Sequence, residues 1–385
     1  MFTFTSTGEQ NQVRSAIRSF AAECIEPVAA EHDRLGTTPL EVYAEFWRRG
    51  FARPVLPEPD GSWTPYLTTA CIVAEELAYA CPAIASLIVL PMFFNRLALN
   101  NLGGAARADF RTRVEDSPTI TSFAASERAA GSDVLQVATT ATRSDGGYVL
   151  DGRKEYSSNI RHADFVIVVA RTAIDGSRST DALSWFLMPT DAPGVCIGDR
   201  WQTLGLRSMD LSPLELQGVH VPEDRRLGEE GRGVALMADT LSQSRTGIAA
   251  IAVGIARRAR DEVLAYGTKR TLYGGKLHKL QDYRFRIAEM EKDIAAARAL
   301  VQLSALRYDS GEQHTKEASI AKLFAGQMVM RITEAASMMF GSVGYTGQSP
   351  IEKLFRDARH TAIVEGTEPT HKELIFASVL RRGGY

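Results

Sequence analysis

Cysteine is scarce in this chain of 385 residues, and its four cysteines lie far apart, at Cys24, Cys71, Cys81 and Cys196. Because no two of them have the spacing of metal ligands, we expect reduced, mostly buried thiols in a cytoplasmic protein. The seven histidines are equally dispersed, and the chain contains neither an HExxH motif nor a His–Cys cluster. The sequence therefore predicts no metal site.

An excess of charge is also missing, since 44 basic residues face 46 acidic ones and the net charge is −2. No global field draws such a chain to nucleic acid or to an anionic membrane. No run approaches the roughly 18 consecutive apolar residues of a membrane span. The N-terminal MFTFTSTGEQ has no basic segment followed by an apolar one, so no secretory leader is predicted. We expect no nucleic-acid partner and no membrane partner.

The hydrophobic pattern divides the chain into three zones. Residues 1–118 have helical spacing, with a break at Pro27 and two segments, 66–80 and 83–103, that are apolar nearly all round and predict buried helices. The pair Gly103 and Gly104 predicts a helix stop. Residues 119–228 alternate with period two between Gly- and Asp-rich turns, which predicts a small antiparallel barrel or sandwich.

Residues 229–385 return to helical spacing in long pieces. One apolar face comprises Ile287, Met290, Ile294, Ala297, Val301 and Tyr308, and a second comprises Ile320, Leu323, Phe324 and Met328. Helices of about 25 residues joined by short turns indicate an antiparallel four-helix bundle. The predicted fold is therefore α+β and multi-domain: an all-α domain (1–118), a β-barrel or sandwich (119–228) and a helical bundle (229–385). A Gly-rich dinucleotide fingerprint is missing, which argues against a Rossmann enzyme.

Two candidate binding segments lie in the strand zone. SFAASERAAGSDVLQ (122–136) allows close backbone approach to a flat ligand and offers Ser126 and Ser132, but it also fits a plain connector. In GRKEYSSN (152–159), Tyr156 can cover an aromatic ring and Ser158 can hydrogen-bond its edge. Both are also ordinary residues of a β-surface.

Two more candidate segments lie in the helical zone. YGTKRTLYGGKLHKLQDY (266–283) combines basic residues and glycines that suit an anion such as a pyrophosphate, or form a solvated turn. TAIVEGTEPTH (361–371) places Glu365 ahead of a helix that a capping box, Thr370 with Glu373, predicts. Glu365 is then either a solvated charge near a helix N-terminus, or a base whose pKa the apolar Ile363 and Val364, with Glu368, raise.

Taken in order, these segments resemble the acyl-CoA dehydrogenase family over essentially the whole chain. Where the family shows T-E-P-G-A-G-S-D, this chain has SERAAGSD (126–133), and where the family shows W-I-T-N it has YSSN. The basic–aromatic–Gly turn followed by Gln corresponds to KRTLYGGKLHKLQ. The Gly-Gly-x-Gly turn corresponds to GSVG, and the R-D…E-G-T ending corresponds to RDARHTAIVEGTE.

The resemblance implies roles for single residues. Glu365 is implied as the catalytic base, and Ser132, Arg245 and Gly366 are implied as substrate contacts. The implied FAD contacts are Phe123, Ser126, Ser132, Tyr156, Ser158, Arg270, Tyr273, Gln281, Met338, Ser342 and Thr367. Among these, Arg270, Tyr273, Gln281 and the turn around Ser342 match positions that hold FAD in a neighbouring subunit, which implies a homo-oligomer, dimer or tetramer.

The chain departs from the family pattern at several of these positions. Tyr156 replaces a tryptophan, Ser126 and Ser158 replace threonines, Ser342 replaces the second glycine, Met338 replaces a glutamine, and Val364 replaces a tyrosine beside the base. Hydroxyls and aromatics are retained, so the resemblance still implies flavin binding, and Val364 is expected to widen the pocket. Some relatives carry the base just before the bundle arginine, where this chain has Ser244.

The function implied by the resemblance is FAD-dependent α,β-dehydrogenation of an acyl thioester in fatty acid metabolism. Glu365 would take the α-proton and the flavin N5 atom the β-hydride. The thioester carrier is coenzyme A or a carrier protein, and an electron-transfer flavoprotein is the implied electron acceptor. The alternatives are a flavin oxidase of the nitroalkane-oxidase type, or a non-catalytic subunit of a hetero-oligomer.

Overall fold

Helices fill the chain ahead of its first strand in the computed structural model, which describes residues 7–53, 56–58, 65–172 and 180–382. They are α1 (Gly8–Phe20), α2 (Glu26–Leu35), α3 (Leu40–Arg48), α4 (Leu67–Ala80), α5 (Pro82–Asn101) and α6 (Gly104–Asp116). A π-helical turn, Ala21–Ile25, separates α1 from α2 just before Pro27. The chain stays helical through this point, so the predicted break or kink takes the form of a π-helical turn, because Pro27 has no N–H to donate to the preceding turn.

The pair α4 and α5 forms the core of this helical part. By length and composition α5 would suffice to cross a membrane, but its whole apolar window is buried inside the protein. A helix that is apolar all round is buried in the core, as the sequence predicted. The chain leaves α5 at Asn101, two residues ahead of the predicted glycine stop, and Gly104 begins α6 with φ +50°. The four cysteines are free thiols: Cys71 and Cys81 are buried, and Cys196 is exposed.

The middle of the chain is a β-sheet. Its strands are β1 (Thr121–Ala124), β2 (Thr140–Ser144), β3 (Gly147–Ser158), β4 (Phe165–Arg171), β5 (Leu183–Pro189), β6 (Val195–Ile197), β7 (Leu211–Pro222) and β8 (Arg226–Leu227). They lie in the order β6-β7-β3-β2-β4-β5-β8, with β1 paired to β4. Alternate residues of β4 serve two cores, since Ile167 and Val169 join the helical core whereas Val166 and Val168 join the core of the sheet.

The expectation of a purely antiparallel sheet is wrong at two pairings. Strand β1 runs parallel to β4, from Thr121 opposite Phe165 to Ala124 opposite Val168, and β2 meets β4 in parallel at one residue pair. The loop 125–139 causes this arrangement, because it carries the chain back to the start of the sheet before β2 begins. The same loop contains the candidate residues Ser126 and Ser132.

The last part of the chain is helical. It comprises α7 (Gly233–Lys269), a hairpin of β9 (Thr271–Leu272) with β10 (Gly275–Lys276), α8 (Gln281–Asp309), α9 (Thr315–Phe340), α10 (Ser342–Tyr345), α11 (Ile351–Thr361) and α12 (Glu368–Arg382). The three long helices α7, α8 and α9 pack on one another, α4 packs along α7, and α11 and α12 pack on α9. The predicted fold class, helical, then β, then helical, is confirmed.

The buried face of α9 differs from the predicted one. Met328 is buried as expected, but Ile320, Leu323 and Phe324 are only half-buried. The residues that α9 turns inward are mostly small, among them Ala318, Ala321 and Ala325, together with Lys322. Small side chains at these positions let α9 approach α7 closely.

Candidate active site

Glu365 lies in the turn between α11 and α12, and its backbone is left-handed, with φ +61°. A non-glycine residue pays roughly 1–2 kcal/mol for this conformation. Such strain persists only where surrounding contacts over-determine it, and it concentrates at functional sites. The predicted helix start is wrong, because α12 begins at Glu368 instead of after a capping box at Thr370.

Two buried cations hold consecutive carbonyl groups of this turn. Arg245 of α7, 5% exposed, donates from Nε to the Glu365 carbonyl oxygen at 2.9 Å. Lys322 of α9, 2% exposed, donates from Nζ to the Gly366 carbonyl oxygen at 3.5 Å. Two helices that are distant in sequence therefore determine where the Glu365 carboxyl group lies.

Glu365 is half-buried as a residue, with its carboxyl group on the inner side. Burial of the carboxyl raises its pKa above the ordinary value, and this effect outweighs the charge of Arg245, a hydrogen bond from Ser244 and the charge of Lys322. A carboxylate with a raised pKa is a stronger base than a solvated one. The expected contribution of Glu368 is not found, because Glu368 is exposed and pairs with Lys372 at 2.6 Å. The expected apolar wall is also incomplete, since Ile363 is 51% exposed.

Two histidines complete the surroundings of the turn. His371 is 1% exposed, and a methyl group added at Gly366 would lie 3.3 Å from its ring. Burial, with the charges of Lys322 and Arg245, lowers the pKa of His371 to about 3. Burial, with Lys322, lowers the pKa of His360 to about 4. Both rings are therefore neutral near pH 7, and Arg245 and Lys322 are the cations beside Glu365.

Lys322 and His371 were not identified from the sequence. A signal was present for Lys322, because it interrupts a helical face of small residues that faces inward. Such a lysine is exposed if the helix turns this face to solvent, and buried with a specific partner if the face points inward. Only the packing of α9 on α7 distinguishes the two cases. His371 had no local signal, since it follows the turn within a helix of mixed polarity.

The loop 125–139 of the β-sheet reaches the same turn from the other side. Ser132 Oγ lies 3.5 Å from Thr370 Oγ1, at the start of α12. The Ser126 carbonyl oxygen accepts the Glu155 N–H at 3.0 Å, which places Ser126 beside β3. The structure therefore brings Ser132 to the turn of Glu365, Gly366 and Thr367.

The surface of β3 beside this loop fits a planar ring. Tyr156 is 56% exposed, and its ring is tilted against that of Trp201 at 6.2 Å. Ser158, two residues on, lies on the same face of the strand. An open aromatic face next to a hydroxyl suits an isoalloxazine group. Phe123 differs from the other candidates, because its ring packs on Phe94, with the centroids 5.3 Å apart.

The remaining candidates form a second, exposed cluster. Arg270 precedes the β9–β10 hairpin, Tyr273 lies in its turn and Gln281 begins α8. Met338 lies in the last turn of α9, and Ser342 begins α10. Tyr266 stacks on Phe340 at 4.2 Å, which joins the two groups. Tyr273 is 94% exposed and Met338 is 76% exposed. We call these exposed residues the outer cluster, which comprises Arg270, Tyr273, Gln281, Met338 and Ser342.

A cavity of about 440 Å³ borders the turn on its outer side. Its lining residues belong to α9, α11, α12 and the turn between the last two, and they include Lys322, Gln327, Arg331, Arg359, Glu368 and His371. The cavity is thus separate from the surface of Tyr156 and Ser158 on β3. Lys322 and His371 line this cavity although both residues are almost fully buried.

Three family models match consecutive parts of this chain. The model for the acyl-CoA dehydrogenase N-terminal domain matches residues 7–106, that for the middle domain matches residues 122–219, and that for the C-terminal domain matches residues 231–380. Together they cover the helical, β and helical parts described above.

Individual proteins match over nearly the full chain. Cyclohexane-1-carbonyl-CoA dehydrogenase of Geobacter metallireducens is 35% identical over 381 residues, 98% of this chain and 99% of that protein. The mitochondrial short-chain specific acyl-CoA dehydrogenase of Mus musculus is 33% identical, over 96% of this chain and 89% of that protein. The structure of butyryl-CoA dehydrogenase from Megasphaera elsdenii superposes with a TM-score of 0.93 at 28% identity, covering 98% of this chain and 100% of that chain.

Proposed function

Because the chain belongs to the acyl-CoA dehydrogenase family, we propose that Glu365 is the base of an α,β-dehydrogenation of an acyl thioester. One observation carries this proposal. The Glu365 carboxyl has a pKa raised by burial, on a left-handed turn that Arg245 holds by its carbonyl group. The β-sheet loop approaches that turn, with Ser132 Oγ 3.5 Å from Thr370 Oγ1, and we infer that the substrate binds beside this contact.

The chemistry requires such a carboxylate. The α-proton of a thioester is too weakly acidic for a solvated glutamate to remove. A raised pKa of the glutamate reduces the difference between its pKa and that of the α-carbon. Hydrogen bonds to the thioester carbonyl reduce this pKa difference further, because they stabilise the developing enolate. We assign one of these donors to the backbone N–H of Glu365. The substrate then loses its α-proton to Glu365 and a hydride from its β-carbon, leaving an α,β-unsaturated thioester.

The family implies a flavin, and the residues of this chain fit FAD. Tyr156, Ser158, Ser126 and Thr367 would hold the ring system, and FAD supplies the hydride acceptor when it is bound. The outer cluster of Arg270, Tyr273, Gln281, Met338 and Ser342 faces away from this site. We propose that it holds the FAD of a neighbouring copy, which makes the active protein a homo-oligomer.

We propose coenzyme A as the thioester carrier, and the experiment below includes a carrier-protein thioester as the alternative. The proteins from Geobacter metallireducens and Megasphaera elsdenii are both named for CoA substrates. Val364 packs against the core beside Glu365 and leaves more room than a tyrosine would. We propose an electron-transfer flavoprotein as the electron acceptor, as the resemblance implies.

Anaerobic bleaching of the flavin tests the base. We expect the Glu365→Gln protein to retain FAD and to lose bleaching by a CoA thioester, because a neutral amide does not accept the proton. Glu368→Gln is the matched control, since it removes a carboxylate three residues away that is exposed and paired with Lys372. Absorbance at the flavin maximum is measured with a CoA thioester and with a carrier-protein thioester.

The outcomes of this experiment separate the alternatives. Full bleaching of the Glu365→Gln protein would remove Glu365 from the mechanism. A wild-type protein that contains FAD but bleaches with neither thioester would indicate a non-catalytic subunit. Rapid re-oxidation of the bleached wild type by air, without a protein acceptor, would indicate an oxidase instead of a dehydrogenase.

A further inference from the structure

Lys322 has no part in the function proposed so far, although it is buried beside the candidate base. We propose that Lys322 is a positioning residue: its ammonium group holds the Gly366 carbonyl and places a positive charge beside the Glu365 carboxyl. The inference rests on the proposed role of Glu365. It adds a residue of α9 to a site that the sequence assigned to the turn, the bundle arginine and the β-sheet.

The geometry of the turn requires a second anchor. Arg245 holds the Glu365 carbonyl from α7, and Lys322 holds the next carbonyl, that of Gly366, from α9. With φ +61° at the non-glycine Glu365, this backbone is unfavourable without support, whereas Gly366 adopts φ +114° freely because it has no Cβ atom. Two donors on different helices fix both peptide groups, and with them the direction of the Glu365 side chain.

The burial of Lys322 is costly, which argues for a specific role. Burial lowers the pKa of Lys322 to about 8, although the charge of Glu365 raises it. A buried ammonium needs a partner of opposite charge, and within the described part of the chain the carboxylate that acts on Lys322 is Glu365. A small or apolar residue would fit the surrounding face of α9 at less cost.

The other charged groups around Lys322 do not replace this interaction. Arg245 on α7 repels the ammonium, and the rings of His360 on α11 and His371 on α12 are neutral near pH 7. On the cavity side, Arg331 pairs with Asp293 at 3.1 Å and Glu368 pairs with Lys372 at 2.6 Å.

Arg359, which also lines the cavity, is an exposed cation of α11 and adds positive charge on that side. Lys322 and Arg245 are therefore the two cations that oppose the effect of burial on Glu365. Loss of the Lys322 charge leaves burial opposed by Arg245 and Ser244 alone, so the pKa of Glu365 rises further.

The pH dependence of flavin bleaching in the holoenzyme tests this role. Glu365 must be ionised to act, so the rate falls as the pH drops through its pKa. We expect Lys322→Met to shift this acid limb upward by about one pH unit, a tenfold change in the ionised fraction below the limb. Lys322→Arg keeps the charge and is expected to keep the limb. Lys316→Met, at the start of the same helix, is the control for loss of a lysine.

A second measurement does not depend on turnover. Infrared difference spectra between each variant and the same variant with Glu365→Gln follow the protonation of the Glu365 carboxyl. We expect its midpoint to rise in Lys322→Met and to stay in Lys322→Arg. Lys322→Gln retains an uncharged donor for the Gly366 carbonyl. We therefore expect the midpoint of the Glu365 carboxyl to rise in this variant too, with a smaller loss of maximal rate than in Lys322→Met.

The failures are distinguishable. If wild-type flavin is never bleached by a thioester, the proposed function fails before Lys322 is tested. If wild type is bleached and Glu365→Gln is not, but Lys322→Met loses rate equally at every pH with an unchanged carboxyl midpoint, Lys322 is a purely structural residue and the inference is wrong. Failure of both Lys322→Met and Lys322→Gln to fold, with Lys322→Arg folded, would also show a structural role and overturn the inference.

Discussion

At the scale of single residues, the buried pair Lys154 and Glu127 determines the course of the loop that faces the base. Lys154, fully buried, donates from Nζ to Glu127 Oε1 at 2.7 Å. Glu127 also accepts the N–H groups of Ala138 at 2.7 Å and Thr139 at 3.0 Å. Burial raises the pKa of Glu127, but Lys154 and these hydrogen bonds outweigh it, so the net shift is downward. One carboxylate thus ties both ends of the loop together.

Removal of the Lys154 ammonium should therefore destabilise the protein. We expect Lys154→Met to lower the free energy of unfolding at pH 7 by roughly 3–5 kcal/mol, because Glu127 is left as a buried, unpaired charge. The pKa of Glu127 is depressed in the folded state, so the stability it contributes is present above its ordinary pKa and lost as the pH falls. The deficit of the variant should then be smaller at pH 4.5 than at pH 7.

Urea denaturation followed by circular dichroism measures this difference. The double variant Lys154→Met with Glu127→Met is the control, because it removes the unpaired charge and should recover part of the stability. An equal loss at both pH values, with no recovery in the double variant, would show that the packing of the Lys154 chain matters and its charge does not.

At the scale of elements, the contact between α4 and α7 depends on a missing side chain. A Cβ atom at Gly254 would lie 2.4 Å from the Glu75 carbonyl oxygen and 2.9 Å from Ala78 Cβ. Both atoms belong to the adjacent helix, and neither can move without shifting it. On the same contact, Arg257 of α7 pairs with Glu75 at 2.7 Å, so the two helices are also held by charge.

Two glycine substitutions in helices should therefore have opposite effects. Gly254→Ala is expected to lower the free energy of unfolding by about 1–3 kcal/mol, because overpacking separates α4 from α7. Gly326→Ala in α9 is expected to raise it by up to about 1 kcal/mol, since its added Cβ would meet no atom closer than 3.5 Å and alanine is the better helix former. Equilibrium denaturation of the two variants measures both, and equal destabilisation would contradict the packing account.

At the scale of the whole molecule, several exposed apolar side chains support the proposed homo-oligomer. The outer cluster exposes Tyr273 by 94% and Met338 by 76%, and Phe285 on α8 is 59% exposed. Large apolar side chains exposed together are typical of interaction sites. The half-buried Ile320 and Phe324 of α9 have the same character, in agreement with a homo-oligomer.

Mixed oligomers provide the test of sharing between subunits. We expect Arg270→Glu to lose FAD and Glu365→Gln to lose catalysis, each as a homo-oligomer. When the two are co-expressed with different affinity tags, the mixed species should recover up to about half of the wild-type bleaching rate. The reason is that the Arg270→Glu subunit retains Glu365 and receives Arg270 from its partner.

The opposite result is equally clear. If Arg270 held the FAD of its own chain, no subunit of the mixed species would have both FAD and Glu365, and the mixture would stay inactive. Mixing the two purified homo-oligomers without subunit exchange is the control, and it should show no recovery in either case.

The sequence by itself determined the order of helical, β and helical parts, because each follows from a local period of apolar residues. The motifs, which occur in order over the whole chain, also carry the family resemblance that implies Glu365 as the base. The parallel pairing of β1 with β4 escaped prediction, because the two strands lie far apart along the chain. The capping box at Thr370 misled the prediction, since local residues alone do not determine where α12 begins.

Only the tertiary structure decided the surroundings of Glu365. These surroundings form where α7, α9 and α12 meet. They comprise the left-handed backbone of Glu365, the hydrogen bonds from Arg245 and Lys322 to two carbonyl groups, and the buried neutral ring of His371. The residues involved lie far apart along the sequence, so no local pattern determines how close they come to Glu365. Apolar periodicity shows which face of a helix is buried, whereas the packing of one helix on another determines what that face contacts.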